Sequence, residues 1–416
     1  MPSLRVSEWR KLPLSLTELC IDTTLRCGQS FRWKKTDDEW HMVLHGRLLS
    51  LKQDDTYLHY KATWPSKTSP GSEKPSVPVK EESPPPLDSL ADDTEDLIRH
   101  YFSLKHDAGA LYEQWSQNDA NFRRKAPRFT GIRILSQDAW EALIGFICSS
   151  NNNISRISQM VHKLCLHYGP SVARIGGGSA DDGELLHDFP DAAALAGAGV
   201  EAHLRQLGFG YRARYIAETA RIVAQDKPPE WLETLTNPES PGWGAAERYG
   251  TKLDRVSYRE AHDELLTLSG VGPKVADCVC LMGLGWGEAV PVDTHVWQIA
   301  QRDYKLGGKV KSKTFSKAMY DTVGDHFRGI WGSQAGWAQS VLFTANLKSF
   351  SDRSAVKPEV EGIKIEVEEK LVLEEAKPKT KRKRAVLTET VKLEEVSVKI
   401  EDNDTKRRRT RSSTRK

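Results

Sequence analysis

A short turn between two apolar helical patterns constrains the fold more than any other stretch of this chain. Residues 265–278 run from an apolar helix end through Gly-x-Gly, a proline and a lysine into a second helical pattern. Gly270 and Gly272 permit the left-handed dihedrals of a tight turn, and Pro273 suits the first turn of a new helix. The unpartnered N–H groups there, with the helix dipole, form an anion site, so the pattern predicts a hairpin with Lys274 at an anion-binding mouth.

A carboxylate follows the lysine at a distance of nineteen residues. The stretch 291–295, Pro-Val-Asp-Thr-His, places Asp293 just before another helix with apolar periodicity. Taken alone, a lysine near a helix start is commonly a solvated charge, and an aspartate in this position is commonly an N-cap. These ordinary explanations have to be weighed against a joint chemical role for Lys274 and Asp293.

In combination, the turn, the lysine and the aspartate resemble the helix-hairpin-helix DNA glycosylases in their Lys-plus-Asp version. Residues 270–278 and 290–304 are strongly similar to eukaryotic 8-oxoguanine DNA glycosylases, and we expect a fungal-type member. Ser269 and Pro273 depart from the Pro and Thr of animal members. The resemblance covers most of residues 1–350. It implies a bifunctional DNA N-glycosylase and AP lyase of base-excision repair, which removes 8-oxoguanine opposite cytosine from duplex DNA.

The resemblance implies two catalytic residues. Lys274 would attack the sugar C1′ as a free amine and form a Schiff base, from which β-elimination cleaves the strand. Asp293 would stabilise the positive charge that base departure leaves on the sugar.

The resemblance also implies a pocket for the flipped base. The Gly28 carbonyl would accept the N7 hydrogen that distinguishes 8-oxoguanine from guanine, and Gln339 would contact the Watson–Crick edge. Phe343 and Cys278 would cover the two faces of the base; Cys278 follows Lys274 by four residues and so shares its helix face. On pattern alone, Gly28 is a strand-edge glycine, Cys278 is buried filler and Phe343 is a core residue.

The remaining implied roles concern the duplex. Asn151 would enter the gap left by the lesion, Arg156 and Arg212 would bind the estranged cytosine, and Tyr211 would wedge into the kink to replace lost stacking. An ordinary turn and plain packing explain the same residues without DNA. Backbone phosphates would be held, with a monovalent cation as an optional partner, by Gly270, Gly272 and His295.

The elements predict an α+β fold in which an N-terminal antiparallel sheet domain precedes a mostly helical domain. We place the β-rich domain at residues 1–133, the helix-hairpin-helix domain at 134–350 and a basic tail at 351–416. Polar–apolar alternation predicts strands at 28–33, 40–45 and 47–51, and helical periodicity begins again at Asp96. Two helices are predicted within 138–166, and residues 173–185 are typical of a surface loop.

Composition limits the partners. The net charge is only +3 in 416 residues, so DNA contact needs a local patch. Residues 66–96 hold 8 Asp/Glu against 3 Lys/Arg, and residues 351–416 hold 19 Lys/Arg against 14 Asp/Glu without an aromatic residue. Both segments are predicted to be disordered. The basic clusters 379–384 and 406–411 favour nuclear import, and a mitochondrial share stays open. Acceptor-like sites for small ubiquitin-like modifiers, or chance matches, occur at Lys80, Lys357, Lys364, Lys392 and Lys399.

Other activities were weighed against this one. The six cysteines lack disulfide-scaffold spacing, and an endonuclease III-like enzyme would carry an iron–sulfur motif after Asp293, whereas the last cysteine is Cys280. An adenine-mismatch glycosylase would lack Lys274, and a noncatalytic DNA-binding module would not need both residues. We expect a monomer that requires no cofactor and no metal, and no run of the sequence is apolar enough to cross a bilayer.

Overall fold

The computed structural model describes residues 4–65, 92–175, 183–250, 253–254, 256–307 and 316–351. Apart from Ser316, the described residues belong to one compact unit. The predictions for residues 66–91 and 352–416, including the basic clusters and the modifier-acceptor lysines, lie outside the described residues.

Six strands near the N-terminus form the predicted antiparallel sheet. They are β1 (Leu4–Val6), β2 (Arg10–Pro13), β3 (Lys34–Thr36), β4 (Glu39–Leu44), β5 (Arg47–Gln53) and β6 (Tyr57–Pro65). Their order is β1-β6-β5-β4-β3, and β2 also pairs with β6. The turns at Asp37-Asp38 and His45-Gly46 have positive φ at both positions, which gives the twist that a two-residue hairpin needs.

Helices make up most of the rest of the described chain. In order they are α1 (Ile21–Thr24), α2 (Thr94–Tyr101), α3 (Ala108–Asn118), α4 (Ala120–Lys125), α5 (Ala139–Ser149), α6 (Ile154–Tyr168), α7 (Ala192–Leu195), α8 (Val200–Gln206), α9 (Arg212–Arg221), α10 (Trp231–Thr234), α11 (Ala245–Tyr249), α12 (Tyr258–Leu266), α13 (Pro273–Met282), α14 (Thr294–Tyr304), α15 (Lys317–Trp331) and α16 (Ala335–Thr344). Within the described ranges, none of these helices combines the length and the hydropathy needed to cross a membrane.

Local sequence sets where many of these helices begin. A short polar side chain before the first turn accepts a backbone hydrogen bond that the helix cannot satisfy itself. The residues that do so are Asp107, Asp119, Asp138, Asn153, Asp191, Ser257 and Asp293. At α12 the cap is reciprocal, because the Glu260 side chain returns a bond to the Ser257 N–H.

One face of the sheet is buried against α1 and α2. Along β6, burial alternates from Tyr57 to Ala62, with Leu58, Tyr60 and Ala62 buried, as expected when side chains alternate between the two faces of a strand. They join Leu97 and Tyr101 of α2 in one apolar core. The predicted fold class, a sheet domain followed by a mostly helical one, is confirmed.

Three local predictions are wrong. Residues 28–33 form no strand, and β3 begins only at Lys34. Their alternation reflects contacts with the helical part, because Phe31 packs edge-on against Phe146 of α5 at 5.7 Å. The predicted loop 173–185 overlaps an antiparallel pair, β7 (Ser171–Ile175) and β8 (Glu184–His187), which packs on Val43 and Leu48. The predicted acidic insert ends early, since α2 already starts at Thr94.

Candidate active site and nucleic-acid surface

The turn between α12 and α13 requires glycine at one of its two positions. Gly270 has φ +77°, and a Cβ added there would lie 2.6 Å from side-chain carbons of Tyr215 on α9. Gly272 is exposed, has φ −102° and has open space around it, and Pro273 begins α13 directly after it. Exposed Gly272 therefore lies at the N-terminal end of α13, where the first N–H groups of a helix have no partner within it.

The turn is fixed to α9 by side chains. Ser269 Oγ is hydrogen-bonded to Glu218 Oε2 at 2.9 Å, and Thr219 Oγ1 donates to the Ser269 carbonyl oxygen at 2.9 Å. Ser269, which departs from the animal pattern, thus has a structural role in holding the turn.

Lys274 extends from the first turn of α13 towards α5. Its Nζ donates to Ser149 Oγ at 3.2 Å and lies 5.2 Å from the centroid of the Phe146 ring. Ser149 Oγ in turn donates to the Phe146 carbonyl oxygen at 2.7 Å. The amine thus has a neutral acceptor, Ser149, and the aromatic face of Phe146 beside it, with the Cys278 thiol also close. The Lys274 side chain stays half-buried.

Asp293 combines the two explanations that its sequence position allowed. Its Oδ1 accepts the Val296 N–H at 2.8 Å, so it is the N-cap of α14. It also lines the same cavity as Lys274. Capping through one oxygen fixes the carboxylate and leaves Oδ2 for another partner.

Six predicted site residues meet at this cavity, whose volume is about 60 Å³. They are Gly28, Lys274, Cys278, Asp293, Gln339 and Phe343. A void of roughly 150 Å³ accommodates one benzene ring, so this cavity is too small for a purine. Phe343, which lines the cavity, is half-buried and meets the His295 ring edge-on at 6.2 Å.

The Cys278 thiol is neutral at physiological pH. It is 3% exposed, and burial raises its pKa to about 11, although the nearby Lys274 amine pulls in the opposite direction. The neutral, polarisable sulfur of Cys278 therefore forms part of the cavity wall.

Gly28 is held at the cavity by its neighbour. Gln29 is 3% exposed, donates from Nε2 to the Arg133 carbonyl oxygen at 2.8 Å and accepts the Leu135 N–H at 3.0 Å. Gln137 Nε2 donates to the Gln29 carbonyl oxygen at 3.0 Å. These hydrogen bonds of Gln29 fix the backbone next to Gly28. Gly28 has φ +87°, which glycine adopts without strain.

The turn between α5 and α6 is tied to the start of α9. Asn151 is exposed and has φ +47°. Tyr211 Oη donates to the Ser150 carbonyl oxygen at 3.1 Å, and Arg212 Nη2 donates to the Ser150 carbonyl oxygen and, at 3.0 Å, to that of Asn151. These hydrogen bonds hold the α5–α6 turn against the N-terminal end of α9.

Arg212 differs from the other predicted DNA-contacting residues. It is only 3% exposed, and its guanidinium lies 4.5 Å from the Tyr211 ring centroid. Contact with a base requires Arg212 to turn away from the carbonyl groups of Ser150 and Asn151.

Seven residues predicted to contact DNA do not line the cavity: Asn151, Arg156, Tyr211, Arg212, Gly270, Gly272 and His295. Of these, Asn151, Arg156, Tyr211, Gly272 and His295 are exposed.

Three residues that support the site were not predicted from the sequence. Ser149 and Phe146 hold Lys274, and Gln29 holds Gly28. No sequence spacing links residue 149 to 274 or residue 29 to 133, so no periodic signal could have found them. Across the described ranges, no group of three or more His, Cys, Asp or Glu side chains is arranged to hold a metal ion, and the six cysteines are unpaired.

Comparisons with known proteins agree with this geometry. Residues 11–143 match the family described as "8-oxoguanine DNA glycosylase, N-terminal domain", and residues 144–321 match "HhH-GPD superfamily base excision DNA repair protein". The N-glycosylase/DNA lyase of Saccharomyces cerevisiae is 36% identical over 81% of this chain and 86% of its own length. The chain belongs to the N-glycosylase/DNA lyase family. The family expected from the hairpin is thereby confirmed.

Two further proteins support the assignment. The N-glycosylase/DNA lyase OGG1 of Arabidopsis thaliana is 35% identical over 82% of this chain and 80% of its own length. The solved structure of MBOgg1 in complex with a low affinity DNA ligand aligns with a TM-score of 0.59 and 25% identity, covering 82% of this chain and 98% of that one.

Proposed function

We propose that this base-excision repair enzyme removes 8-oxoguanine paired with cytosine and uses Lys274 as the nucleophile. Family membership makes it a DNA N-glycosylase with AP lyase activity. The observation that carries the proposal is the convergence of Lys274, Asp293 and Gly28 at one cavity.

Base recognition would use the walls of that cavity. The target nucleotide must leave the stack, at a cost of a few kcal/mol, and the cavity must widen to admit it. The Gly28 carbonyl oxygen would accept the N7 hydrogen that guanine lacks. Gln339, which is 6% exposed, would bind the Watson–Crick edge, with Cys278 and Phe343 on opposite faces.

The chemistry would follow from the two catalytic groups. After losing a proton, Lys274 Nζ bonds to C1′ as the C1′–N9 bond breaks, and the base leaves with the bonding electron pair and is then protonated. Asp293 stabilises the positive charge on the sugar. Opening of the sugar ring gives an imine between Lys274 and C1′. Loss of a C2′ proton then expels the 3′ phosphate.

Duplex binding would use the exposed turns. The hairpin amides of Gly270 and Gly272 and the side chain of His295 would hold phosphates, with room for a monovalent cation. Tyr211 and Asn151 would fill the space left by the lesion. We further propose that the enzyme acts as a monomer in the nucleus, with a mitochondrial fraction and with modifier attachment at the predicted tail lysines.

A borohydride trap tests the nucleophile and the substrate together. The purified protein is incubated with duplexes that carry 8-oxoguanine opposite each of the four bases, and covalent adducts are counted. The wild type should trap best opposite cytosine. Lys274→Gln should abolish both trapping and base release while damaged duplex is still bound, because only the amine is lost.

Three results would contradict the proposed function. Trapping of Lys274→Gln at the wild-type level would assign the nucleophile elsewhere. Preferential trapping on duplexes with an oxidised pyrimidine would point to endonuclease III-like specificity. Binding without trapping by the wild type would indicate a noncatalytic module.

A further inference from the structure

A buried carboxylate lies between two residues of the cavity wall but does not itself line the cavity. Asp277 follows Lys274 by three residues and precedes Cys278 on α13, and it is 2% exposed. Its Oδ1 accepts a hydrogen bond from Tyr258 Oη on α12, and its Oδ2 accepts one from Tyr320 Oη on α15, each at 2.5 Å. A carboxylate is costly to bury unless hydrogen bonds replace its water, so these phenols are needed to hold it there.

A histidine and an arginine complete the surroundings of Asp277. His262 Nε2 lies 3.8 Å from Asp277 Oδ1, and the Arg328 guanidinium lies 5.9 Å from the Tyr258 ring centroid. Burial raises the pKa of Asp277, whereas His262, the two phenols and Arg328 lower it. Three helices, α12, α13 and α15, thus meet around one carboxylate.

Tyr320 extends this network to the second catalytic residue. Its Oη accepts the Val292 N–H at 3.4 Å, and Val292, which is 2% exposed, directly precedes Asp293. A phenol has one proton to give and lone pairs to receive, so Tyr320 can donate to Asp277 and accept from Val292 at once. A path of hydrogen bonds therefore runs from the helix of Lys274 to the backbone of Val292, next to Asp293.

We propose that Asp277 and Tyr320 are positioning residues that hold the Asp293 backbone in register with the helix that carries Lys274. The inference rests on the roles proposed above for Lys274 and Asp293. Asp293 is fixed on its C-terminal side by its own cap to Val296, and the Tyr320–Val292 bond fixes the N-terminal side. The carboxylate is then clamped from both directions relative to α13.

The expected consequence is kinetic. Displacing a catalytic group by about 1 Å costs on the order of 100-fold in rate. The loss should appear in the rate constant of base release from the bound duplex, because Asp277 and Tyr320 touch neither the cavity nor the exposed turns. Duplex affinity should change little.

The chain offers a matched pair of variants. Tyr320→Phe and Tyr258→Phe each remove one phenol that donates to Asp277 at 2.5 Å, and both residues are buried. Among the described contacts, only Tyr320 also bonds to Val292. Single-turnover base release, duplex affinity, the melting temperature and borohydride trapping are measured for both variants, the wild type and Lys274→Gln.

The proposal predicts a split between the two variants. Tyr320→Phe should slow single-turnover base release by roughly tenfold or more, with duplex affinity within about twofold. Tyr258→Phe should stay within about twofold of wild type in the rate of base release, even if its melting temperature falls as much as that of Tyr320→Phe. Equal slowing of both variants, or slowing of neither, would overturn the proposal.

Failure of the proposed function is recognised separately. If Lys274→Gln still forms the trapped adduct, then the nucleophile was assigned wrongly. If Lys274→Gln fails to trap and the two phenylalanine variants behave alike, then the nucleophile stands and only the positioning role of Tyr320 is lost.

Discussion

At the scale of single residues, the site depends on a few positions where two requirements coincide. Asp293 both caps α14 and lines the cavity. Gly270 both forms the turn and makes room for Tyr215. At such positions the ordinary explanation and the functional one are not alternatives, since the structural role creates the geometry that the chemistry uses.

The two hairpin glycines should respond differently to alanine. Gly270→Ala places a side chain at φ +77° and against Tyr215, so the free energy of unfolding should fall by about 2 kcal/mol or more. Gly272→Ala meets open space and should change it by less than about 0.5 kcal/mol. Urea denaturation of both variants checks this, and equal destabilisation would contradict the described turn.

At the scale of elements, α14 carries Asp293 at one end and is attached to α4 at the other. Asp303, near the end of α14, accepts from Lys125 of α4 at 2.7 Å and from Arg302 at 2.7 and 2.6 Å. The Arg302 hydrogen bonds, helped by Lys125, lower the Asp303 pKa from 3.8 to about 2. This pairing fixes the far end of the helix that Asp293, the proposed catalytic carboxylate, caps.

Asp303→Asn should lower the free energy of unfolding by an amount that depends on pH. Because the folded pKa is depressed, the stabilisation is present above pH 3.8 and is lost as the pH falls through about 2. The variant should be less stable by about 1–2 kcal/mol near neutral pH, and the difference from wild type should shrink towards pH 3. Urea unfolding at about pH 7, 5 and 3 measures this.

An exposed ion pair supplies the control for Asp303. Glu201→Gln breaks the surface pair with Arg205 on α8 and should cost no more than about 0.5 kcal/mol. A loss as large as that of Asp303→Asn would mean that charge removal alone explains both results.

At the scale of the whole molecule, a loop between two strands of the sheet and the helical part share the cavity. Gly28 comes from the loop between α1 and β3, whereas Lys274 and Gln339 lie on helices and Asp293 caps α14. The Gln29 side chain fixes the segment that contains Gly28 by bonding to the backbone of Arg133 and Leu135, which lie just before α5. The selectivity expected for the oxidised base therefore depends on how this segment is held beside the helices.

Gln29→Leu tests whether the Gln29 side chain supports Gly28. It removes both backbone bonds at nearly constant volume, so stability should fall by about 2–3 kcal/mol, and release of 8-oxoguanine should slow because the Gly28 carbonyl group loses its support. Gln53→Leu is the matched control, since Gln53 bonds to the backbone of Ile21 and Leu19 away from the cavity. If both variants slow base release equally, then the effect is one of general stability.

Local sequence alone determined the hairpin, the helix starts and the sheet with its two-residue turns, because glycine conformation, capping side chains and alternation act between neighbours in the chain. The residues that meet at the cavity were anticipated through family resemblance. Only the tertiary structure decided that 28–33 is not a strand, that Ser149 and Phe146 hold Lys274, that Arg212 faces the protein, and that the cavity measures about 60 Å³. Such contacts join residues about sixty or more positions apart, and no local pattern encodes them.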